Sequence, residues 1–409
     1  MKRRSLPVSA KVPETVLQGW YRQAIGLHGK GELDAAQALY RRILAQMPTS
    51  FHALHMLGVL VGQRDDLAQS EQLIARALRI DPNAAAAHAN LGNTLRLMER
   101  FDEAMANYDR ALQLQADNTR ALKGRGLILW RSRRREEALA CYEHLLRVEP
   151  DYTDGWIMKG AVLDDLGRSD EAIASYRKAL EFEQVTNPDK IRYVLAAMGS
   201  EPMPAASPVQ YVRELFDKYA RGFEQHLVAE LKYRVPEMLT AQLQPLLTTR
   251  GIDVLDLGCG TGLCGPLLKP WARSLTGLDV SQKMLEEASG KHVYDHLVGG
   301  ELVAYLATQS ECFDLIVAAD VFIYIGDLSG VFDGARRALR PGGLFAFSTE
   351  ASANEDARLQ QSLRYAHSAA YLQGLAADTG WFVVSITPHV LREEDGQGVP
   401  GHLTVLRRP

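Results

Sequence analysis

Apolar side chains recur at the spacing of an α-helix throughout the first 186 residues of the chain. The segment 86–118, for example, consists of two amphipathic stretches separated by a break near Glu99 and Arg100. Compared with itself at a spacing of 34 residues, the chain aligns prolines, glycines, tyrosines and alanines in four registers. This pattern predicts five units of two helices each, at about 17–50, 51–84, 85–118, 119–152 and 153–186. The aligned residues are Pro48, Pro82 and Pro150; Gly58, Gly92, Gly126 and Gly160; Tyr40, Tyr108, Tyr142 and Tyr176; and Ala36, Ala104, Ala138 and Ala172.

The aligned residue types suit pairs of packed antiparallel helices. Small residues in the glycine and alanine registers let the two helices approach closely, and the tyrosine fills the space between pairs. Proline follows the second helix, which it cannot extend. The pattern resembles the tetratricopeptide repeat over about 170 residues. The resemblance implies a right-handed superhelix whose concave face receives an extended peptide or a partner protein.

By the same resemblance, several side chains of the first helices point towards that groove. They are candidates to bind an acidic or carboxylate-bearing ligand, with the indole stacking against it. The alternative is that they form the solvated face of amphipathic helices or pair within the chain. These residues are Arg96, Arg120, Lys123, Trp130 and Arg131.

The pattern changes in the second half of the chain. A turn-rich linker at 199–209 and an amphipathic segment from Tyr211 to about Leu231 predict a helical connector. From Ile252 onward, short apolar runs alternate with helical stretches, which predicts a doubly wound, mostly parallel sheet. The last two strands have no helix between them and are expected to form an antiparallel hairpin at one edge.

A glycine-rich turn follows the first of these strands, in VLDLGCGTG. Asp256 stands at the strand tip, Gly258, Gly260 and Gly262 form the turn, and Asp279 ends the next strand. Glycines permit positive φ and let a ligand approach the backbone. An acidic side chain at the end of the second strand accepts hydrogen bonds from both hydroxyls of a ribose. Ligands of such sheets bind outside the carboxyl ends of the strands, where these residues lie.

These motifs, with RALRPGGLFAFSTE leading into the fifth strand, resemble the class I S-adenosylmethionine-dependent methyltransferases over about residues 250–409. The resemblance implies that Asp256 and the glycine turn hold the methionine part of S-adenosylmethionine and that Asp279 holds its ribose. It places four more side chains around the cofactor: Met284 on the adenine, Glu301 at the adenine amino group, Asp320 beside the methyl donor, and Tyr219 in a segment that folds over the donor as a lid.

A dinucleotide site is the alternative interpretation of the glycine turn. Gly260, Gly262 and Gly265 also satisfy the pattern G-x-G-x-x-G, and Asp279 is suitably placed for it. Asp256 argues against this interpretation, because the equivalent strand position is normally apolar in dinucleotide-binding folds. The chain also has no second domain with hydride-transfer machinery.

Methyl transfer from a sulfonium is an in-line displacement, so the protein mainly aligns the nucleophile and, where needed, removes its proton. Two histidines are candidates for the base: His367, between the fifth and sixth strands, and His226, in the lid segment. The alternative for each is a structural histidine. Tyr324, after the fourth strand, is a further candidate and is expected to line the pocket rather than to act as an acid. Three residues near His367 are expected to contact the acceptor: Arg364, Tyr365 and Tyr371.

Composition and charge exclude several other classes of protein. With 46% hydrophobic and 23% charged residues, the chain is neither disordered nor fibrous. A formal net charge of −4 provides no global field to hold nucleic acid. Four cysteines in 409 residues are too few for a disulfide framework, and no ligand pattern indicates a metal. We therefore expect a cytoplasmic protein without a metal and without a nucleic-acid or membrane partner.

The sequence predicts a multidomain chain with an N-terminal extension (1–16), five tetratricopeptide repeats (17–186), a helical connector and lid (187–250), and a Rossmann-like α/β methyltransferase domain (251–409). It looks like bacterial methyltransferases bearing such repeats. The predicted function is S-adenosylmethionine-dependent O- or N-methyl transfer to a peptide, protein or carrier-bound substrate that the repeats recruit. Two alternatives stay open. One is a small-molecule methyltransferase whose repeats serve homodimerisation or partner docking, and the other is a repeat scaffold whose methyltransferase domain senses the cofactor without catalysis.

Overall fold

The computed structural model describes residues 12–353, 356–394 and 396–409. The chain divides into two compact units, the first ending at Thr186 and the second beginning at Asn187. Residues 1–11 of the predicted N-terminal extension lie outside the described ranges. In the described part of the chain, no helix combines the length and the apolar character needed to cross a membrane.

The first unit consists of helices that pack in successive pairs, as the 34-residue period predicts. The predicted break in the third pair is confirmed, because one helix ends at Leu97, the next begins at Phe101, and Glu99 between them has a φ of 61°. The pairs are α1 (Glu14–Gly29) with α2 (Leu33–Gln46), α3 (Phe51–Gln63) with α4 (Leu67–Ile80), α5 (Ala85–Leu97) with α6 (Phe101–Leu114), α7 (Thr119–Arg131) with α8 (Arg135–Val148), and α9 (Thr153–Asp165) with α10 (Ser169–Leu180).

The repeated tyrosines and alanines form the core between these helices, where they are buried. The repeated glycines make room for the tyrosine rings. A Cβ atom on Gly92 would lie 2.7 Å from a ring carbon of Tyr108, and one on Gly160 would lie 2.9 Å from a ring carbon of Tyr176. Both distances are shorter than a carbon–carbon contact, which is optimal near 3.5–4.0 Å.

Replacing Gly92 with alanine should therefore destabilise the repeats by about 1–3 kcal/mol, because the added methyl overlaps a ring that cannot move away in a packed core. Gly26→Ala in α1 is the matched control. A Cβ there would meet nothing within 4 Å, so the same substitution should stabilise by up to about 1 kcal/mol through helix propensity. Thermal unfolding of the full chain, followed by circular dichroism, measures both effects. Shifts of the same sign and size would contradict the packing argument.

The second unit is built on a sheet, and its predicted class, mostly parallel with an antiparallel hairpin, is confirmed. Parallel strands run in the order β3-β2-β1-β4-β5; β9 pairs antiparallel with β5 and with β8, and a short hairpin of β6 and β7 joins the end of β5. The strands are β1 (Ile252–Leu257), β2 (Ala272–Asp279), β3 (His296–Gly299), β4 (Phe313–Ala318), β5 (Leu339–Ala351), β6 (Ala357–Leu359), β7 (Tyr365–His367), β8 (Phe382–Glu394) and β9 (Gln397–Arg407).

Helices surround this sheet, and the amphipathic segment predicted from Tyr211 to about Leu231 is divided among them. It contains a helix that ends at Tyr219, then Gly222 with a φ of 88°, then a π-helical turn, Gln225–Glu230. The helices are α11 (Pro188–Ala197), α12 (Val209–Tyr219), α13 (Val235–Leu243), α14 (Gly265–Leu268), α15 (Gln282–Gly290), α16 (Leu302–Ala307), α17 (Ser329–Ala338) and α18 (Ala369–Asp378).

Alternate residues of β5 enter two separate apolar cores, as the two-residue period of a strand requires. Phe345 and Phe347 pack with helices α16, α17 and α18. Leu344 and Ala346 belong to the other core, which α13 joins through Val235, Leu239 and Leu243. The connector therefore packs on the sheet and belongs to the same compact unit, so the strand ends and the segment that covers them are held together.

Candidate functional site

A cavity of about 440 Å³ lies where three parallel strands end. Asp256 near the end of β1, Asp279 at the end of β2 and Asp320 just after β4 line it. The helix α12 also lines it and has no buried residue of its own, since its apolar face covers the cavity instead of a packed core. Ser281 Oγ donates to Asp217 Oδ1 of α12 at 2.6 Å, which ties this covering helix to the residue that follows β2.

The glycine turn has the backbone conformation that its sequence predicts. Gly258, Gly260 and Gly262 have φ values of 72°, 54° and 86°, a region that side chains with a Cβ rarely adopt. The N–H of Gly260 donates to Asp279 Oδ2 at 2.9 Å, and the N–H of Ser281 donates to Asp279 Oδ1 at 2.8 Å. Burial raises the pKa of Asp279, while these backbone donors lower it. Asp279 thereby fixes the two loops that flank the cavity.

Asp256 is an acidic side chain at the floor of the cavity with no positive partner among the described residues. It is 1% exposed, and the phenol of Tyr294 donates to its Oδ2 at 2.5 Å. Burial raises the pKa of Asp256 to about 7, and the hydrogen bond from Tyr294 works against this rise. A cation that entered the cavity at this point would find a preformed counter-charge.

A cluster of charged side chains also contributes to the cavity lining. Arg392 lies at its centre, 2% exposed, with Nη1 3.1 Å from Asp320 Oδ2, Nε 2.7 Å from Glu394 Oε1, and Nη2 bonded to Glu350. Nη1 of Arg364 lies 2.5 Å from Glu394 Oε1 and 3.3 Å from Glu350 Oε1. We call these five residues the charged cluster. Arg392, Arg364, Glu394 and Asp320 themselves line the cavity.

Asp320 is held in an unusual conformation within the charged cluster. Its φ is 61°, and its N–H donates to Ser348 Oγ at 2.8 Å. Such a backbone costs about 1–3 kcal/mol at a residue other than glycine and persists only where its surroundings enforce it. Arg392 and Ser348 supply that enforcement, so the carboxylate of Asp320 is directed to one place at the strand end.

Models of two kinds of domain match the chain. The model described as "Methyltransferase domain" matches residues 255–347, and tetratricopeptide-repeat models match residues 21–85, 85–118 and 123–185. The chain contains a methyltransferase domain preceded by tetratricopeptide repeats. The match to the methyltransferase model begins beside Asp256 and ends in β5, so it covers the glycine turn, Asp279 and Asp320.

Among curated relatives, the chain is 33% identical over 143 residues to the malonyl-[acyl-carrier protein] O-methyltransferase of Enterobacter lignolyticus, covering 35% of this chain and 55% of that protein. It is 30% identical over 141 residues to the protein of the same name from Pseudescherichia vulneris, covering 34% and 54%. The chain thus spans about half the length of these relatives. A solved structure of magnesium protoporphyrin IX methyltransferase from Synechocystis PCC 6803 with bound SAH is 16% identical, with a TM-score of 0.40 over 49% of this chain and 100% of that one.

S-adenosylmethionine is the cofactor of this methyltransferase domain, and the cavity fits it. The hydroxyl oxygen of Thr261, in the glycine turn, is buried without a hydrogen-bond partner in the described part of the chain, and it lines the cavity. Asp256 and Asp279, which are predicted to hold the methionine part and the ribose, both line this cavity with their carboxylates. Glu301 also lines the cavity, but its carboxylate caps α16 by accepting from Val303 N at 3.0 Å and Ala304 N at 2.7 Å.

The structure brings most of the predicted site residues of the methyltransferase domain to one cavity. Two predicted cofactor residues do not line it. Met284 is fully buried at the start of α15, and Gly262 faces the ring of Tyr294. The predicted residues that line the cavity are Asp256, Gly258, Gly260, Asp279, Glu301, Asp320, Tyr219, His226, Tyr324 and Arg364.

His367 does not lie at the cavity, and this placement argues against its predicted role as the base. It is fully buried, its Nε2 lies 3.1 Å from the carbonyl oxygen of Gly326, and its ring stacks on Tyr371 at 5.6 Å. Burial lowers the pKa of His367 to about 4, which leaves it neutral. Tyr371 accepts from Leu328 N at 2.9 Å, so it too has a structural partner.

The error has a physical reason. The segment around His367, between the fifth and sixth predicted strands, was expected to cover the acceptor pocket, but 365–367 form the short strand β7. A strand inside a sheet buries its side chains, and Tyr365 is accordingly fully buried with its hydroxyl donating to the carbonyl oxygen of Pro204 at 2.8 Å. Of the three predicted acceptor contacts, Arg364 alone lines the cavity.

His226 and Tyr324, in contrast, lie at the cavity. The ring of His226 packs edge-on against Tyr219 with centroids 5.4 Å apart, and its Nδ1 is buried without a partner among the described residues. Its Nε2 lies 3.6 Å from Glu230 Oε2. Tyr324 packs edge-on against Phe216 of α12 at 5.5 Å.

Four of the five predicted groove residues of the repeats make contacts within their own unit. Lys123 pairs with Asp154 at 3.2 Å, and the indole of Trp130 donates to Asp165 Oδ2 at 2.6 Å. Arg96 donates to Asn93 at 2.8 Å, and Arg131 lies 4.9 Å from the ring centroid of Phe101. The alternative of pairing within the chain therefore applies to these four. Arg120 lies near His55, where burial and the charge of Arg120 lower the pKa of His55 to about 4.

Proposed function

We propose that this protein transfers a methyl group from S-adenosylmethionine to an oxygen acceptor, and that its tetratricopeptide repeats recruit the peptide, protein or carrier that bears this acceptor. The observation that supports this proposal most directly is the set of residues that line the cavity. Asp256, Thr261 and Asp279, which we assign to the cofactor, and four residues of the charged cluster, which we assign to the acceptor, line one cavity together with α12. The bound cofactor supplies an activated methyl group, so the protein's task is alignment and exclusion of water.

A carboxylate is the acceptor that the unused donors of Arg364 would bind. All three nitrogens of the Arg392 guanidinium are engaged with carboxylates of the cluster. Both ion pairs that the described residues make with Arg364 use its Nη1, which leaves Nε and Nη2 able to donate to an incoming anion. A guanidinium binds a carboxylate through two parallel hydrogen bonds. The relatives named malonyl-[acyl-carrier protein] O-methyltransferases support the same class of acceptor.

This acceptor also explains why no base needs to lie beside the methyl donor. A carboxylic acid is ionised at neutral pH, so its oxygen attacks without losing a proton. Arg364 would then orient the acceptor, and Asp320, a carboxylate paired with Arg392, need not act as its base. A hydroxyl or a neutral amine is the second candidate, because its proton must be removed and His226 lines the cavity with an unpaired Nδ1.

The test is methyl transfer by the full chain from S-adenosylmethionine labelled in its methyl group. The acceptors are a malonyl thioester on acyl carrier protein, the same thioester on pantetheine, and an alkyl amine. We expect a base-labile methyl ester with both thioesters and a KM at least tenfold lower on the carrier, as effective concentration at a recruited site requires. Equal KM values would remove the recruiting role of the repeats. A methylamine product would favour the second candidate, and cofactor binding without any product would favour a sensor.

Arg364→Ala should raise the KM for a carboxylate acceptor at least tenfold and leave the affinity for S-adenosylmethionine unchanged, since losing a charged hydrogen-bond donor costs about 1.5–3 kcal/mol. Arg358→Ala is the matched control, because Arg358 is an exposed arginine of β6 that does not line this cavity. Steady-state kinetics together with calorimetry separate the two effects. An unchanged KM in Arg364→Ala would contradict the assignment of the acceptor end.

A further inference from the structure

The ring of Tyr294 occupies a slot made by glycines from three parts of the fold. Tyr294 lies between α15 and β3. A Cβ atom on Gly262 would lie 2.8 Å from its ring, one on Gly265 2.9 Å, and one on Gly277 3.0 Å. Gly262 belongs to the glycine turn, Gly265 begins α14, and Gly277 lies in β2. A larger residue at any of these three positions would approach the ring to 3.0 Å or less, so Tyr294 is closely packed in this slot.

The fixed ring directs its hydroxyl at one cavity carboxylate. Tyr294 Oη donates to Asp256 Oδ2 at 2.5 Å, the length of a strong hydrogen bond to an ionised acceptor. Among the described residues no lysine, arginine or histidine pairs with Asp256. None of its titratable neighbours can carry a positive charge. They are Tyr294, Asp279, Cys259, Cys264 and Tyr233. Tyr294 is therefore the side-chain donor to this carboxylate.

We propose that Tyr294 is a positioning residue that holds Asp256 ionised and aimed at the ammonium group of the methionine part of S-adenosylmethionine. The inference rests on the proposed function, because it concerns the same cofactor. A buried carboxylate without a donor protonates more readily and rotates more freely, and either change weakens its attraction for a cation. The hydroxyl of Tyr294 prevents both, while the three glycines prevent the ring itself from moving.

The direction of the pH dependence follows from the two groups. Burial raises the pKa of Asp256 to about 7, so the carboxylate takes up a proton as the pH falls through 7 and binding of a cationic ligand weakens. Burial, followed by the neighbouring carboxylate of Asp256, raises the pKa of Tyr294, which keeps its hydroxyl a donor at every pH of interest. Removing the hydroxyl should raise the pKa of Asp256 and move the loss of binding to a higher pH.

The deciding experiment compares Tyr294→Phe with the unmodified protein by titration calorimetry against three ligands. S-adenosylmethionine and S-adenosylhomocysteine carry the amino-acid part, and 5′-methylthioadenosine lacks it. We expect Kd to rise about tenfold for the first two and to stay unchanged for the third, as the loss of one hydrogen bond to a charged group predicts. The pH at which S-adenosylmethionine binding is half lost should move upward.

Controls separate this role from a structural one. Asp256→Asn should show the same ligand selectivity without the pH dependence. Tyr305→Phe, in α16 and outside the cavity, should bind all three ligands as the unmodified protein does. Equal weakening of all three ligands in Tyr294→Phe, or none, would overturn the inference and leave the proposed function intact. Failure of the unmodified protein to bind any of the three would overturn the proposed function, and the inference with it.

Discussion

Replacing Asp279 with alanine should weaken binding of S-adenosylmethionine by at least about 100-fold, because each hydrogen bond to a charged group contributes about 1.5–3 kcal/mol and a ribose diol uses two. The substitution also releases the N–H groups of Gly260 and Ser281, which Asp279 holds at 2.9 Å and 2.8 Å. The glycine turn and the start of α15 would then lose their common anchor. Titration calorimetry on the full chain measures the loss directly.

Asp253→Ala is the matched control for Asp279→Ala. Asp253 lies in the neighbouring strand β1, but its carboxylate pairs with Arg273 and, at 2.9 Å, with Arg340, and it does not line the cavity. We expect its Kd for S-adenosylmethionine to equal that of the unmodified protein. Binding by Asp279→Ala within threefold of the unmodified protein would show that the ribose lies elsewhere.

Arg392→Met should destabilise the methyltransferase unit by about 3–5 kcal/mol, the cost of removing one partner from a buried ion pair. Arg392 is 2% exposed and neutralises Asp320, Glu350 and Glu394 together. Without Arg392, Arg364 is the cation of the cluster that is left to pair with these carboxylates. The carboxylates then repel one another in the folded protein, where they are poorly solvated, whereas in the unfolded chain they are solvated and far apart. Urea denaturation of the full chain at neutral pH, read as a change in midpoint, measures the cost.

The cost of Arg392→Met should depend on pH in a definite direction. Burial raises the pKa of Asp320 and Arg392 lowers it; at Glu394 burial also raises the pKa, but the hydrogen bonds to Arg392 and Arg364 prevail and the pKa lies below its usual value. Without Arg392 both carboxylates take up protons at a higher pH. The loss in free energy of unfolding caused by Arg392→Met is therefore greatest at pH 7 and should become smaller as the pH falls towards about 5.

A surface arginine provides the comparison. Arg273 pairs with Asp253 and its side chain is 65% exposed, so solvent screens the pair, and Arg273→Met should cost much less than Arg392→Met and show little of this pH dependence. Equal costs for the two substitutions would contradict the burial argument. A partial recovery of stability in Arg392→Met with Glu350→Gln would support it, because the second change removes one of the stranded charges.

Local pattern was sufficient for the repeats and for the cofactor end of the cavity. The glycines and tyrosines at a spacing of 34 residues meet in the fold because each pair is only 16 residues apart, as Gly92 and Tyr108 are, and two adjacent helices carry them. Asp256, the glycine turn and Asp279 are likewise close in the chain, and parallel strands bring their carboxyl ends to one edge of the sheet. In both cases short connections leave the chain few ways to arrange these residues.

The acceptor end and the short strands could not be predicted in this way. Arg392 meets Asp320 across 72 positions of the chain and Glu350 across 42, and no local spacing encodes such a meeting. The strand β7 has three residues, too few for a two-residue period to stand out, so His367 was expected at the acceptor when it lies in the core. The slot of Tyr294 could not be predicted either, because its glycines come from the turn, α14 and β2 and only the fold brings them together.

The sequence by itself thus determined the helix pairs, the parallel sheet and the strand-end carboxylates that line the cavity, because these depend on periodicity and on glycine at positions of positive φ. Only the tertiary structure decided which charges meet in the charged cluster, which histidine reaches the cavity, and that the hydroxyl of Tyr294 donates to Asp256. Those contacts depend on how distant segments pack on the two faces of the sheet. Packing of that kind is fixed by shape and burial over the whole unit, and residue spacing does not encode it.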